Sequence, residues 1–230
     1  MKKMALGMLF IAGISVLIGC HTRSNIQEDR LTPMAQSYRG TLPCADCEGI
    51  DTSLFLEKDG TFILREHYQT TREGTNTFAE YGQWRRTADK LVLTNSQGEK
   101  RYFRPIGDGL EMLDQQGTVI QSSLSYRLNV TEQPLPDTPM TMKGMYRYMA
   151  DAATFADCAT GKTFVVQNNI QLERRYLATV TEPGGPVLTI FTAYFAMVPS
   201  MEEGQMTKAL VPAKNNVEMN AKGHCDSRAE

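Results

Sequence analysis

The chain has 230 residues, with 24 Lys and Arg against 26 Asp and Glu, so its formal net charge is −2 and its pI is near 6.0. This near balance offers no basic surface for nucleic acid and no polybasic strip for anionic lipid, and we predict neither kind of binding. The length is enough for one large domain or two small ones.

The amino terminus has the pattern of an export signal. Two lysines precede an uncharged apolar run over residues 4–18, which is shorter than the ~20 residues that a membrane-spanning helix needs. The run ends in Leu-Ile-Gly-Cys20, which resembles the lipobox of bacterial lipoproteins. We therefore predict that residues 1–19 are a signal peptide and that Cys20 is lipidated, the alternative being a secreted protein with a chance cysteine. His21 implies, by the same resemblance, sorting to the outer membrane.

The mature chain begins with a polar stretch, residues 20–36, which is typical of a tether rather than of a packed core. From residue 37 to residue 130, short apolar segments alternate with turn residues at even spacing. Asp59 and Gly60, set between two apolar runs, are a strong signal for a β-hairpin. This pattern favours an antiparallel meander that closes into a small barrel.

A second domain is predicted to follow a Pro-rich linker. Residues 131–141 contain three prolines, and because proline fixes φ and donates no backbone N–H, this stretch is expected to be stiff. In residues 142–230 short strands are interrupted by one helix, with Asn168 as its expected N-cap and Leu172 and Tyr176 on one face. This order suits a five-stranded barrel of the OB type, so the predicted fold class is all-β with one short helix.

Four cysteines remain after the lipidated Cys20, namely Cys44, Cys47, Cys158 and Cys225. In an exported chain they are able to form disulfides, and four cysteines allow three connectivities. Proximity in sequence favours Cys44 with Cys47, which leaves Cys158 with Cys225. The longer bond is interpreted first as a structural staple and second as a reporter of periplasmic oxidation.

The Cys44-x-x-Cys47 motif has three interpretations: a structural disulfide, a Cu(I) site, and a redox-active dithiol. Asp46 and Glu48 oppose thiolate formation, and the β-like run after them provides no helix N-terminus, which argues against an oxidoreductase. Two thiolates suit Cu(I), whereas a tetrahedral zinc site needs two more ligands. The disulfide is the favoured interpretation, and it excludes metal binding because oxidised sulfurs are not thiolate ligands.

The sequence contains no signature of an enzyme. Metalloprotease, nucleophile-elbow and phosphate-loop motifs are all absent, so we predict a protein that is not an enzyme and requires no cofactor, with Cu(I) as the one candidate ligand. Met140, Met142, Met145 and Met149 form a methionine-rich stretch. We interpret it as core packing rather than as a copper ladder, with Met145 and Met149 on one face of a strand that starts at Gly144.

Several stretches together carry a family likeness: the lipobox and residues 39–50, 54–60, 86–93, 148–155 and 157–162. They resemble the NlpE family of enterobacterial outer-membrane lipoproteins. The resemblance implies a lipocalin-like amino-terminal β-barrel and an OB-like carboxy-terminal domain. It also implies a role in copper homeostasis and surface sensing, and activation of the Cpx envelope-stress system through its inner-membrane sensor kinase.

The leading hypothesis from the sequence is therefore a non-enzymatic sensor, anchored to the outer membrane by lipid on Cys20 and facing the periplasm. Its location and disulfide state would report changes in export, oxidation or surface contact. The alternative is a periplasmic Cu(I) buffer that uses Cys44 and Cys47. A thiol oxidoreductase is the third and least favoured hypothesis.

Overall fold

The structure is a computed structural model, and it describes residues 36–70, 76–200 and 204–225. The predicted signal peptide, Cys20 and the predicted tether up to residue 35 lie outside the described residues. The described residues form thirteen strands and one helix, which confirms the predicted all-β class with a single helix. Within these ranges no helix combines the length and the apolar character needed to cross a membrane.

The first barrel is an antiparallel meander in which each strand pairs with the next in sequence, and the last strand pairs with the first to close it. Its eight strands are β1 (Gln36–Leu42), β2 (Gly49–Leu56), β3 (Thr61–Gln69), β4 (Thr77–Arg86), β5 (Leu91–Asn95), β6 (Lys100–Ile106), β7 (Gly109–Met112) and β8 (Arg127–Thr131). Closure removes the exposed sheet edges that a flat meander would leave.

Alternation along the strands fills the interior of the first barrel. Phe62 and Leu64 on β3 face Leu56 and Leu54 on β2 across the interior side of the register, and all four are buried. The predicted hairpin joins these two strands: the backbone turns at Glu57, and Gly60 adopts φ of +84°, a conformation that glycine tolerates at little cost.

The second barrel consists of β9 (Met140–Met149), β10 (Ala152–Asp157), β11 (Thr163–Val166), α1 (Ile170–Thr179), β12 (Val187–Pro199) and β13 (Met206–Asn220). Its strands lie in the closed order β10-β11-β13-β12-β9. Strand β11 runs parallel to β13, and all the other pairs are antiparallel. The helix connects β11 to β12. This is the five-stranded OB arrangement that the sequence predicted.

Helix α1 begins one residue later than predicted. Asn169, and not Asn168, is the N-cap, and its side chain makes no capping hydrogen bond. Asn168 instead adopts φ of +51°, which takes it out of the helix. The expected buried face is correct, because Leu172 and Tyr176 are both buried, and Tyr176 packs edge-on against Tyr146.

Strand β9 begins at Met140, before the expected start at Gly144, and this changes the assignment of its methionines. Met140 and Met142 lie on the inward face and are buried, whereas Met149 is 68% exposed. The core interpretation is therefore right for the first two and wrong for Met149. Inward positions alternate from Met140, so the odd-numbered residues of β9 face outward.

The hydrophobic core of the second barrel includes residues from the outer face of the first barrel. Phe55, Ile63 and Tyr81 point outward from the first barrel, yet they are buried in the same cluster as the core of the second barrel. A separate cluster fills the interior of the first barrel. The outer face of the first barrel thus completes the core of the second, which places a tight contact between them.

Candidate functional site

The Cys-x-x-Cys motif forms a closed disulfide in the loop between β1 and β2. The Cα atoms of Cys44 and Cys47 are 5.3 Å apart. Asp46, between them, is exposed, with its Oδ1 atom 3.7 Å from Sγ of Cys44. The second sulfur lies 3.4 Å from the carbonyl oxygen of Gly49, where β2 begins. Because a bonded sulfur carries no proton, these are contacts rather than hydrogen bonds.

A closed disulfide offers neither a nucleophilic thiolate nor a thiolate ligand to a metal. Across residues 36–70, 76–200 and 204–225, no three His, Cys, Asp or Glu side chains come together as a group that could hold a metal ion. Cu(I) binding at Cys44 and Cys47 therefore requires reduction of the bond first and rests on two sulfur ligands.

The second disulfide joins a turn to the carboxy-terminal tail. Cys158 begins the turn between β10 and β11, and Cys225 lies five residues beyond the end of β13. The two cysteines are 67 residues apart in sequence. The backbone N–H of Cys158 donates to the carbonyl of Lys143 on β9 at 2.9 Å. The bond therefore fastens the last described residues to the turn that follows β10.

The same turn, residues 157–162, is where the second barrel contacts the first. The hydroxyl of Tyr81 donates to Oγ1 of Thr160 at 3.4 Å, and Nε2 of Gln83 donates to the Thr160 carbonyl at 3.3 Å. Thr160 is held by Asp157, whose buried carboxylate accepts from its backbone N–H and its hydroxyl, both at 2.8 Å. The Cys158 disulfide therefore anchors a turn that touches β4 of the other barrel.

Tyr81 is the centre of this contact. Its ring lies 5.0 Å from the ring of Phe195 and 5.9 Å from that of Phe164, and these two rings are 4.9 Å apart. Nζ of Lys208 lies 4.8 Å from the Phe195 ring centroid, within cation–π range, and pairs with the carboxylate of Glu57 on the first barrel. An aromatic residue of one barrel is thus enclosed by aromatic residues of the other.

Burial and charge shift two titrating groups at the contact. Burial raises the pKa of Tyr81 well above its ordinary value of 10.0, so the phenol is neutral at physiological pH. Burial also acts to raise the pKa of Asp59, but hydrogen bonds from Thr61 and the charges of Lys208 and Lys162 outweigh it. The pKa of Asp59 therefore lies below its ordinary value of 3.8. Lys162, in the 157–162 turn, is 3.8 Å from the Asp59 carboxylate.

The structure brings the predicted cysteines together in pairs but keeps the pairs apart. This is the connectivity that sequence proximity favoured. Strand β2 starts beside Cys47, and the turn after it contacts Lys162, so its eight residues, about 25 Å, lie between the two regions. Cys20 lies outside the described residues.

Sequence reasoning did not identify the residues that join the barrels. Tyr81 and Lys208 belong to no motif, and Thr160 lies in the 157–162 stretch only as part of the family likeness. Strand alternation predicts only that Tyr81 and Gln83 share a face of β4. An aromatic residue on the outward face of β4 is the one available signal, and it does not indicate which surface covers the residue.

Comparisons with known proteins agree over both barrels. Residues 38–123 match the family model of the NlpE N-terminal domain, and residues 136–226 match that of the NlpE C-terminal OB domain. Lipoprotein NlpE of Escherichia coli strain K12 is 51% identical over 217 residues, 92% of each chain.

Two solved structures are also similar in sequence. The crystal structure of the Cpx pathway activator NlpE from Escherichia coli is 54% identical and covers 85% of this chain and 100% of that one, with a TM-score of 0.40. A putative lipoprotein from Shewanella oneidensis is 32% identical and covers 43% of this chain and 90% of its own, with a TM-score of 0.37.

Proposed function

Because the chain belongs to the NlpE family of lipoproteins, we propose that it is an outer-membrane lipoprotein that activates the Cpx pathway through the inner-membrane sensor kinase. The support is the 51% identity to the Escherichia coli lipoprotein, a protein described as a Cpx pathway activator. Family membership favours a signalling role over an enzymatic one.

The position of the Cys158–Cys225 bond carries the mechanism that we propose. Cys158 stands two residues before Thr160, which accepts hydrogen bonds from the first barrel through both its hydroxyl and its carbonyl oxygen. When the bond is absent, the tail after β13 is released and the 157–162 turn loses its cross-link. The contact with Tyr81 then weakens, and the outward face of the first barrel becomes available to a partner.

Lipidation at Cys20 adds a second input, which is location. The tether of residues 20–36 extends at most about 60 Å at ~3.3–3.6 Å per residue. A protein anchored in the outer membrane therefore has limited reach toward an inner-membrane kinase, whereas one retained in the inner membrane is beside it. Failed sorting and a missing disulfide would both raise signalling by this scheme.

A Cpx reporter in living cells tests the redox part of the proposal. We expect Cys158→Ser with Cys225→Ser to raise reporter output, while Cys44→Ser with Cys47→Ser, the matched control in the other disulfide, leaves it near the wild-type level. Immunoblotting establishes equal amounts of protein. Equal output from the two double variants would overturn the redox mechanism.

Two further variants test the contact between the barrels, and two more test the lipid anchor and its sorting. Tyr81→Ala keeps both disulfides and should raise reporter output, whereas Leu124→Ala, which removes an exposed side chain, should not. His21→Asp should raise output through retention in the inner membrane. Cys20→Ser should move the protein to the soluble fraction on density separation of membranes, and persistent outer-membrane association would contradict the anchor.

The second candidate function is a periplasmic Cu(I) buffer at Cys44 and Cys47. The two sulfurs already lie together in a loop at one end of the first barrel, away from the contact between the barrels. A soft monovalent ion accepts two thiolates, so the reduced loop is chemically suited to Cu(I). This role would couple copper to the amino-terminal barrel and leave the Cys158–Cys225 bond unaffected.

A further inference from the structure

The first barrel has a cleft of about 580 Å³ beside the first half of β4, and the proposed function does not use it. Strand β4 pairs with β5 only from Gly82 onward, so residues 77–81 have no β5 partner on that side. The cleft opens there, between β4 and the turn after β5. We call it the β4 cleft, and its charged and aromatic lining consists of Glu66, Tyr68, Phe78, Glu80, Tyr81, Glu99 and Arg101.

The charged side chains of the cleft form a connected network. The guanidinium of Arg101 donates two hydrogen bonds to the Glu66 carboxylate, at 2.6 and 3.0 Å, and its Nε lies 3.3 Å from the carboxylate of Glu80. The side-chain amide of Asn95 donates to Glu80 at 2.9 Å and to Glu99 at 3.0 Å. Among the described lining residues, three carboxylates face one guanidinium, so the cleft carries net negative charge.

The buried carboxylate of Glu66 lies at the centre of the network. Glu66 is 7% exposed and lies on the inward face of β3, where the bidentate Arg101 pair satisfies it. Glu80 and Glu99 are less buried and share a neutral amide between them. These two carboxylates therefore attract a positive group that enters from solvent.

Two aromatic rings stand beside these carboxylates. Tyr68 and Phe78 pack edge to face with their centroids 5.8 Å apart. Phe78 is 53% exposed although its neighbour in register, Glu66, is buried. An aromatic face next to carboxylates is the arrangement that binds organic ammonium groups by combined cation–π and charge attraction.

The packed interior of the first barrel limits the size and charge of a ligand that fits the cleft. Phe62, Leu64 and Phe103 are fully buried and fill the barrel beneath the cleft. A long acyl chain has no space there, and an anion would meet the carboxylates. The ligand that fits is small, positively charged, and apolar around its charge.

We propose that the β4 cleft binds a small organic cation, an ammonium group with short alkyl substituents, with Glu80 and Glu99 supplying the opposing charge and Phe78 the apolar wall. This site lies at the end of the barrel that carries the Cys44–Cys47 loop, since β3 runs from the Asp59 hairpin to Gln69, which pairs with Gly49. The cleft also borders the second barrel, because Tyr81 and Thr141 of β9 belong to its lining.

Calorimetry on the full lipidated chain in a non-ionic detergent at low salt tests the proposal. The probes are choline and cadaverine, a quaternary and a primary ammonium, and 3,3-dimethyl-1-butanol, the uncharged analogue of choline. We expect at least one cation to bind and the neutral analogue to fail, with affinity falling as salt rises. Whichever cation binds identifies the ammonium class.

Variants then locate the binding. Glu80→Gln and Phe78→Ala should each weaken binding by about tenfold, since each removes one of the two attractions. Glu218→Gln and Leu124→Ala, an exposed acid in the second barrel and an exposed apolar residue in the first, are matched controls and should leave the affinity unchanged. Circular dichroism checks that all four remain folded.

Three outcomes would overturn the proposal. The first is that neither cation gives saturable heat, and the second is that the neutral analogue binds as tightly as choline. The third is that the control variants weaken binding as much as the cleft variants do. None of these binding measurements depends on Cpx signalling, so their failure would leave the proposed function unaffected.

Discussion

The phenol of Tyr81 in the first barrel donates to Oγ1 of Thr160 in the second, over 3.4 Å, only two residues from a disulfide-bonded cysteine. The Cys158–Cys225 disulfide of the second barrel and the aromatic contact between the barrels therefore involve the same short turn. In the mechanism that we propose, a change that frees Cys158 acts on Thr160, which contacts Tyr81. The contact between the barrels would then be the part of the molecule that responds to oxidation.

Replacing Tyr81 tests the contact directly. Tyr81→Ala removes a ring enclosed by Phe164 and Phe195, and large-to-small changes of this kind cost about 3–5 kcal/mol. Tyr81→Phe keeps the ring and loses one hydrogen bond, for about 1 kcal/mol. Urea unfolding followed by fluorescence of the single tryptophan, Trp84 in the first barrel, and by circular dichroism measures both. Coincident, unshifted transitions in Tyr81→Ala would show that the contact is energetically unimportant.

The two disulfides should differ in their contribution to stability. In the chain-entropy model, a bond closing 67 residues stabilises the native state by about 4 kcal/mol, and one closing three by about 2 kcal/mol or less. We expect Cys158→Ser with Cys225→Ser to lower the free energy of unfolding more than Cys44→Ser with Cys47→Ser. The comparison uses urea midpoints at equal protein concentration. A larger loss from the short loop would contradict this ordering.

Copper binding should depend on the oxidation state of one loop. Anaerobic Cu(I) titration of reduced protein should show one tight site that is lost in Cys44→Ser with Cys47→Ser, because these are the paired soft ligands. Oxidised protein should not bind, since its sulfurs are bonded to each other. The variant with Cys158→Ser and Cys225→Ser serves as the matched control. Tight binding that survives loss of Cys44 and Cys47 would exclude the loop as the site.

Acid should weaken the molecule partly through Asp59. Its folded pKa is lower than its unfolded one, so the ionised carboxylate contributes stability that is present above the unfolded value, near 3.9. That contribution is lost as pH falls through the lower folded pKa. We expect Asp59→Asn to flatten the dependence of unfolding free energy on pH between about 5 and 2, measured by urea titration. Asp89→Asn is the matched control, since Asp89 also sits in an exposed turn and its pKa is also lowered, mainly by the hydrogen bond from the Thr87 hydroxyl at 2.7 Å and in part by the charge of Lys90.

An unchanged slope in Asp59→Asn would mean that the Lys162 and Lys208 charges do not stabilise the ionised form. Equal flattening in the Asp89 control would mean that turn hydrogen bonds, rather than the contact between the barrels, control the acid response. The groups that lower the pKa of Asp89 belong to the first barrel, whereas Lys162 and Lys208 belong to the second, so the two variants separate these causes.

The sequence allowed much of each barrel to be predicted because the relevant signals are local. The Asp59-Gly60 hairpin and the buried face of α1 follow from turn chemistry and side-chain periodicity within about ten residues. The errors also have local causes. Gln171, three residues after Asn168, makes Asn168 the expected cap, whereas the helix is capped one residue later at Asn169. The first residues of β9 follow a Pro-rich stretch, which makes the expected start of the strand too late.

The sequence by itself determined the two-barrel β architecture, the family to which the chain belongs, and the pairing that proximity favours among four cysteines. The contact of Tyr81 with Thr160, Phe164 and Phe195, and the network of Glu66, Glu80 and Arg101, were decided only in three dimensions. The reason is physical. Periodicity reports which face of a strand a residue occupies, whereas the neighbour of that face depends on how distant segments close and pack.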